Sequence, residues 1–323
     1  MVAPSGEQFE MSGGGYQAVV TECGAGLRVL EYAGRPLVAG YAEAEHASAG
    51  RGQLLLPWPN RIEDGAYTFQ DRDLQLPVSE VARNNASHGL TRWASWTVEE
   101  QTAQSVSFLY RLMAQSGYPW TVDLHVLYDL SADGLTVTVT ASNMSDSPAP
   151  YAQGAHPYLV VADARADERV DDWADHWVDD WVDHWDLRMP ADTRLLTNDR
   201  KLPVGRQPVD DTAYDFRIAR PIGDLQLDDA FTDLHRGDDG RVEVELRNPR
   251  TGAAVVLWMD DAHNWVQIYS GDDLKPAQAR RSLAIEPMTA PANAFRTGEG
   301  LVVLGPAGSD SDEHSSSWGI GVR

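Results

Sequence analysis

The sequence predicts an all-β protein, a sandwich or a barrel, built as one large domain. Period-2 alternation of apolar residues dominates the readable segments. Short apolar runs also recur between turn signals at the spacing typical of sandwiches and barrels. Outside one unusual repeat, no 3.6-residue apolar stripe continues beyond two turns, so long packing helices are not expected.

The strands can be argued in chain order. Tyr67–Phe69 and Leu74–Leu76 flank an Asp-Arg-Asp turn. In Thr121–Tyr128 the residues Val122, Leu124, Val126 and Tyr128 point one way. Ser131–Gly134 then turns the chain, and Leu135, Val137 and Val139 resume the alternation, which is a hairpin signal. Ala254–Met259, Trp265–Tyr269 and Ser282–Ile285 are further apolar runs bounded by Asp, Asn, Gly or Pro. No Pro/Ser linker divides the middle, so a single domain is expected from Glu10 to Pro306. Residues 307–323 are polar, follow Gly305-Pro306 and read as a flexible tail.

One segment departs from this pattern. Val170–Trp185 parses as VDDW-ADHW-VDDW-VDHW, a repeat of period four. On a helix, Asp172, His176, Asp180 and His184 would form one stripe at the i, i+4 spacing that can bridge a transition metal. The regularity fits a duplicated surface excursion better than a tuned site, so no metal is expected. An excursion of this kind is expected to lie outside the core and to be dispensable for catalysis.

The net charge of −23, with no clustered basic face, disfavours nucleic acid and anionic membranes as partners. Lysine occurs only at Lys201 and Lys275, leaving few candidates for Schiff-base chemistry. Cys23 is the only cysteine, which excludes an intrachain disulfide. The first twenty residues lack a basic-then-apolar leader, and no 18-residue apolar run occurs. A soluble, cytoplasmic protein is expected. Phosphate loops, GxSxG elbows and HExxH motifs are absent, and nothing in the sequence supports cofactor-dependent redox chemistry.

Several polar residues stand where a strand-rich chain would not waste them. Glu286 follows Leu283-Ala284-Ile285 and precedes Pro287, and a carboxylate ending a buried strand is costly unless paired or working. His156, in Gly154-Ala155-His156-Pro157-Tyr158-Leu159, is held extended by the following proline and could give or take a proton near neutrality. Asn60-Arg61 beside Trp58 suits a polyhydroxylated ligand, and His88 and the pair Asp228-Asp229 could add hydroxyl contacts.

Taken together, LLLPWPNRIEDGAYTF, SHGL, GAHPYLV, LDDAF, WVQIYSGD and IEPMTAPANAF resemble, in order and character, the aldose 1-epimerases (galactose mutarotases). The resemblance runs from about Gly15 to Leu304. It implies a large antiparallel β-sandwich of galactose-mutarotase type with the sugar in an open cleft on one sheet. By position in the motifs, Glu286 resembles the family's general base and His156 its general acid. Asn60, Arg61, His88, Tyr158, Asp228 and Gln267 resemble the substrate-binding set, with Asp228 chosen over Asp229 for its spacing to Phe231.

The implied reaction interconverts α and β anomers of a free aldohexose by acid–base ring opening and closure, with Glu286 ionised while His156 is protonated and with no cofactor. Two alternatives remain open. A modified sugar such as a hexose-6-phosphate would call for extra arginine at the cleft rim, for which Arg83, Arg92 and Arg217 are the candidates. A non-catalytic sugar-binding module would not need both His156 and Glu286.

Overall fold

The computed structural model of the chain describes residues 2–161 and 181–323. Two antiparallel sheets carry the architecture. One has nine strands in the order Thr97–Gln101, Ser105–Leu112, Val122–Ser131, Gly134–Asn143, Glu313–Val322, Ala254–Met259, Val242–Arg247, Asp186–Arg188 and Arg220–Pro221. The other has eight strands and runs from Pro203–Pro208 through Ala191–Thr197, Asp228–Leu234, Trp265–Tyr269, Leu283–Met288 and Gly154–Ala155 to Leu54–Leu55. Tyr158–Leu159 also pairs with Leu283–Met288.

Alternation decides which side chains fill the space between the sheets. Val122, Leu124, Val126, Tyr128, Val137 and Val139 enter it from the nine-stranded sheet. Phe231, Val266, Ile268, Leu283 and Ile285 enter it from the eight-stranded sheet, and all belong to one contiguous core. The hairpin expected at Ser131–Gly134 is present, with Ser131 opposite Gly134 in the register. The turn expected around Asp71–Asp73 sits slightly earlier, at Gln70 and Asp71, whose φ values of 48° and 60° suit a tight hairpin.

Two sequence expectations need correction. Residues 307–323 are not a flexible tail, and the domain does not end at Pro306. Glu313–Val322 is a ten-residue strand inserted between Gly134–Asn143 and Ala254–Met259, inside the nine-stranded sheet. Its polar character reflects one face of the sheet: Ser315 and Ser317 hydroxyls pair across strands with Thr140 and Thr138 at 3.0 and 2.9 Å. Trp318 and Ile320 face the core on the other side. Gly319 is required there, since a Cβ would stand 2.3 Å from the Leu135 carbonyl and 2.4 Å from the Trp258 indole nitrogen.

The second correction concerns the repeat. Its last unit is not an outlying excursion, because Val182 and Trp185 are fully buried members of the core. Asp183 pairs with Arg280 at 2.5 Å, and Arg280 also holds Asp272 at 2.7 Å. The Arg281 guanidinium lies 3.9 Å from the Trp181 ring centroid. His184 lies in the short 3-10 turn Val182–His184. Asp172, His176 and Asp180, the rest of the considered metal stripe, lie outside the described residues. Among the described residues, no helix is long and apolar enough to cross a membrane.

The burial of Trp185 sets a test for the repeat. Trp185→Ala should lower unfolding free energy by ~3–5 kcal/mol, the cost of emptying a large aromatic site. A denaturant midpoint unchanged by that substitution would show that the last repeat unit does not hold the core.

Candidate active site

The eight-stranded sheet has one face in the core and the other open, and this open face bears the site. In the register, Ala230, Gln267 and Glu286 stand side by side across three adjacent strands. Asp228 lies two residues before Ala230 and therefore shares its face. The neighbouring residue Asp229 faces the other way and is buried against Arg194 at 2.8 Å. Asp228, Gln267 and Glu286 thus line a cleft of about 310 Å³ together with Asn60, Arg61, His88 and His156.

His156 leaves the short strand Gly154–Ala155 and meets Glu286 across the floor of the cleft, Nε2 to Oε1 at 3.3 Å. Both side chains are almost completely enclosed, at 7 % and 3 % exposure. Gly50 makes the imidazole's position possible: its φ is +76°, and a Cβ there would stand 2.7 Å from the ring. Tyr158 stacks on the imidazole, with ring centroids 5.0 Å apart and planes 16° from parallel. The Tyr158 hydroxyl donates to the Ala49 carbonyl at 2.9 Å. Tyr158, expected to contact substrate, is therefore a buried support for His156 and does not line the cleft.

Burial governs the charge state of the pair. Desolvation, reinforced by Arg92, Arg51 and Arg61, lowers His156 to about 3. Desolvation, reinforced by the Asp228 charge and opposed by Arg61, pushes Glu286 well above the usual carboxylate range. Both shifts act in favour of the uncharged forms, neutral imidazole and neutral carboxylic acid. The expected state, ionised Glu286 beside protonated His156, carries the same single proton on the other partner. The reversal follows from taking two charges out of water in a site where the nearest cations repel imidazolium. His156 Nδ1 and Glu286 Oε2 are buried with no hydrogen-bond partner in the protein.

Around this pair runs a connected set of polar groups. Asn60 Nδ2 donates to Gln267 Oε1 at 3.3 Å, and Gln267 Nε2 donates to Asp228 Oδ1 at 2.8 Å. Lys201 Nζ closes the line at 2.8 Å from Asp228 Oδ2. The backbone NH of Asn60 donates to His88 Nδ1 at 3.1 Å, which assigns the imidazole proton to Nε2. Arg61 is held by Glu80 through two bonds of 2.8 and 3.1 Å, and its Nη1 donates to Asn60 Oδ1 at 3.2 Å. Arg83 pairs with the same Glu80 at 2.9 Å.

Of the three arginines considered for an anionic substituent, Arg83 and Arg92 line the cleft. Arg217 does not; Asp192, Asp210 and Asp215 hold it elsewhere. Sequence reasoning missed Glu80, Lys201, Trp93 and Tyr269. Lys201 had a signal, being one of only two lysines, while Glu80 had none. Among the described residues, no group of three or more His, Cys, Asp or Glu is placed to hold a metal ion.

An antiparallel sandwich with an open polar cleft on one sheet is the architecture of the galactose-mutarotase fold. The aldose 1-epimerase family model matches residues 7–309, and the chain belongs to that family. A curated relative, the uncharacterized protein YihR of Escherichia coli (strain K12), is 33 % identical over 93 % of this chain and 89 % of its own length. The solved structure of a GalM/aldose epimerase homologue from C. elegans aligns with a TM-score of 0.82 at 20 % identity, covering 98 % of both chains. Galactose 1-epimerase from Lactobacillus acidophilus NCFM aligns with a TM-score of 0.75 at 17 % identity, over 96 % of this chain and 92 % of its own.

The Glu80 carboxylate is the hinge of the arginine pair. Glu80→Gln should leave the fold intact but cost about 2 kcal/mol of stability through the loss of charge-assisted bonds to Arg61 and Arg83. Equilibrium unfolding in urea checks this. A stability equal to wild type would show that Arg61 is positioned by other means.

Proposed function

We propose that the protein is an aldose 1-epimerase that interconverts the α and β anomers of an aldohexose, with Glu286 as base and His156 as acid. The carrying observation is their 3.3 Å approach inside a polar cleft. A cyclic hemiacetal bears both reacting oxygens on C1, so its acid and base must be neighbours. Glu286 accepts the proton of the C1 hydroxyl while His156 gives one to the ring oxygen. The C1–O5 bond breaks and leaves an open-chain aldehyde. Rotation about C1–C2 presents the other carbonyl face, and closure returns both protons.

The uncharged pair that burial favours does not obstruct this route. The C1 hydroxyl donates and the ring oxygen only accepts, so bound sugar favours carboxylate on Glu286 and N–H on His156. The proton moves across the 3.3 Å contact and none is exchanged with bulk water. Asn60, Arg61, His88, Asp228 and Gln267 supply donors and acceptors for hydroxyls, and Tyr158 fixes the plane of the acid. The steps call for no cofactor.

Polarimetry on freshly dissolved α-glucose or α-galactose tests the proposal, and wild-type protein should speed the approach to equilibrium. Glu286→Gln and His156→Asn should each lower turnover by ~10²–10⁴-fold, with sugar binding by the Glu286→Gln variant largely kept. Binding without acceleration in wild type would make the protein a sugar-binding module instead.

The pH profile carries its own signature. The working pair holds one proton. It gains a second on acidification through the lowered His156 and loses its only one on alkalinisation through the raised Glu286. The acid limb of kcat/KM should therefore lie well below the ordinary imidazole range, and the alkaline limb above the ordinary carboxylate range. An acid limb at the imidazole's usual ~6.5 would contradict this reading.

A further inference from the structure

We propose that the preferred substrate is an aldose with a fixed negative charge on its exocyclic carbon C6, and that Arg92 holds that charge. This deepens the epimerase reading and rests on it.

The first observation is the distribution of partners among the cleft's cations. Arg61 and Arg83 share Glu80, and Lys201 is paired with Asp228. Arg92 lines the same cleft, yet no carboxylate pairs with it among the described residues. Among the described residues, the one hydrogen bond of its side chain runs from Nη2 to the Ser87 carbonyl at 3.5 Å, the long limit for such a bond. Its guanidinium stands 5.8 Å from the ring centroid of Trp93, which is 55 % exposed at the rim.

This chain has 49 acidic residues against 26 basic ones. A partly buried arginine left without an acid is costly unless something else meets it. Neutral hydroxyls would satisfy its donors but not its charge.

The second observation fixes which end of the sugar Arg92 meets. In the proposed reaction His156 serves the ring oxygen, and C5, which carries C6, is bonded to that oxygen. A C6 substituent therefore lies on the His156 side of the pair. Arg92 is on that side as well: its carbonyl accepts from Gln53 Nε2 at 3.0 Å, and the Gln53 carbonyl accepts from the His156 backbone NH at 3.0 Å. It also follows His88 closely in the chain, and the His88 and His156 rings are 5.7 Å apart. Arg51, buried with its Nε unpartnered, adds a further positive charge near His156.

An anion at C6 would have a mechanistic consequence. It would compensate the positive charge that now opposes imidazolium, so the substrate itself would help His156 hold the proton it delivers. Phosphate, sulfonate and carboxylate share the needed chemistry, namely oxygens that accept two parallel N–H bonds from a guanidinium.

The test compares kcat/KM for mutarotation of glucose, glucose 6-phosphate, 6-sulfonated glucose and glucuronate at fixed ionic strength. Wild-type protein should favour at least one charged aldose over glucose by about tenfold or more, and the best arm identifies the head group. Arg92→Gln should bring that ratio to near one, and Arg92→Lys should recover part of it. Because each ratio is taken within one variant, general damage to folding or catalysis cancels. Turnover of glucose equal to or above every charged aldose, or a ratio unmoved by Arg92→Gln, would overturn the assignment while leaving the epimerase reading intact. Failure to accelerate any of the four sugars would overturn both.

Discussion

The constraint on which the site depends is that one carboxyl and one imidazole share a buried position where neither can be hydrated. At 3.3 Å and below a tenth exposed, Glu286 and His156 face each other and not solvent. The sheet makes this possible. Glu286 is fixed by a central strand paired on both sides, with Gln267 opposite it in the register. His156 is fixed by the stacked Tyr158 ring and the close backbone at Gly50. Neither group can swing out to water without breaking packing.

The surrounding charges tune that pair in opposite directions. Asp228 raises Glu286, and its own negative charge is met by Lys201. Arg61 favours the ionised Glu286 and disfavours the protonated His156, yet much of its charge is taken up by Glu80. Among the described residues, Arg61, Arg83 and Lys201 thus each meet an acid, with Glu80 serving two of them. Arg92 is the exception, and this makes it informative.

Much of this was legible in the sequence, for physical reasons that differ by residue. Strand alternation in Val122–Ser131 and Gly134–Asn143 exposed the sandwich because one face of that hairpin is buried. Glu286 and His156 stood out because each interrupts an apolar neighbourhood. Glu80 and Lys201 did not, since their partners Arg61 and Asp228 are distant in sequence and meet them only after folding. Glu313–Val322 was hidden because its outward face is a ladder of hydroxyls, which reads as a polar tail until Thr138 and Thr140 stand opposite. Trp185 was hidden by its repeat: the regular units read as a surface excursion, whereas Trp185 is in the core.

The central claim, a one-proton pair kept neutral by burial, is tested most directly by the nitrogen NMR shifts of His156 in the free protein, assigned by comparison with His156→Asn. The account predicts that the His156 ring stays neutral from about pH 5 to pH 8, the range in which an ordinary imidazole titrates. Titration of His156 with a midpoint near the usual ~6.5 would contradict it.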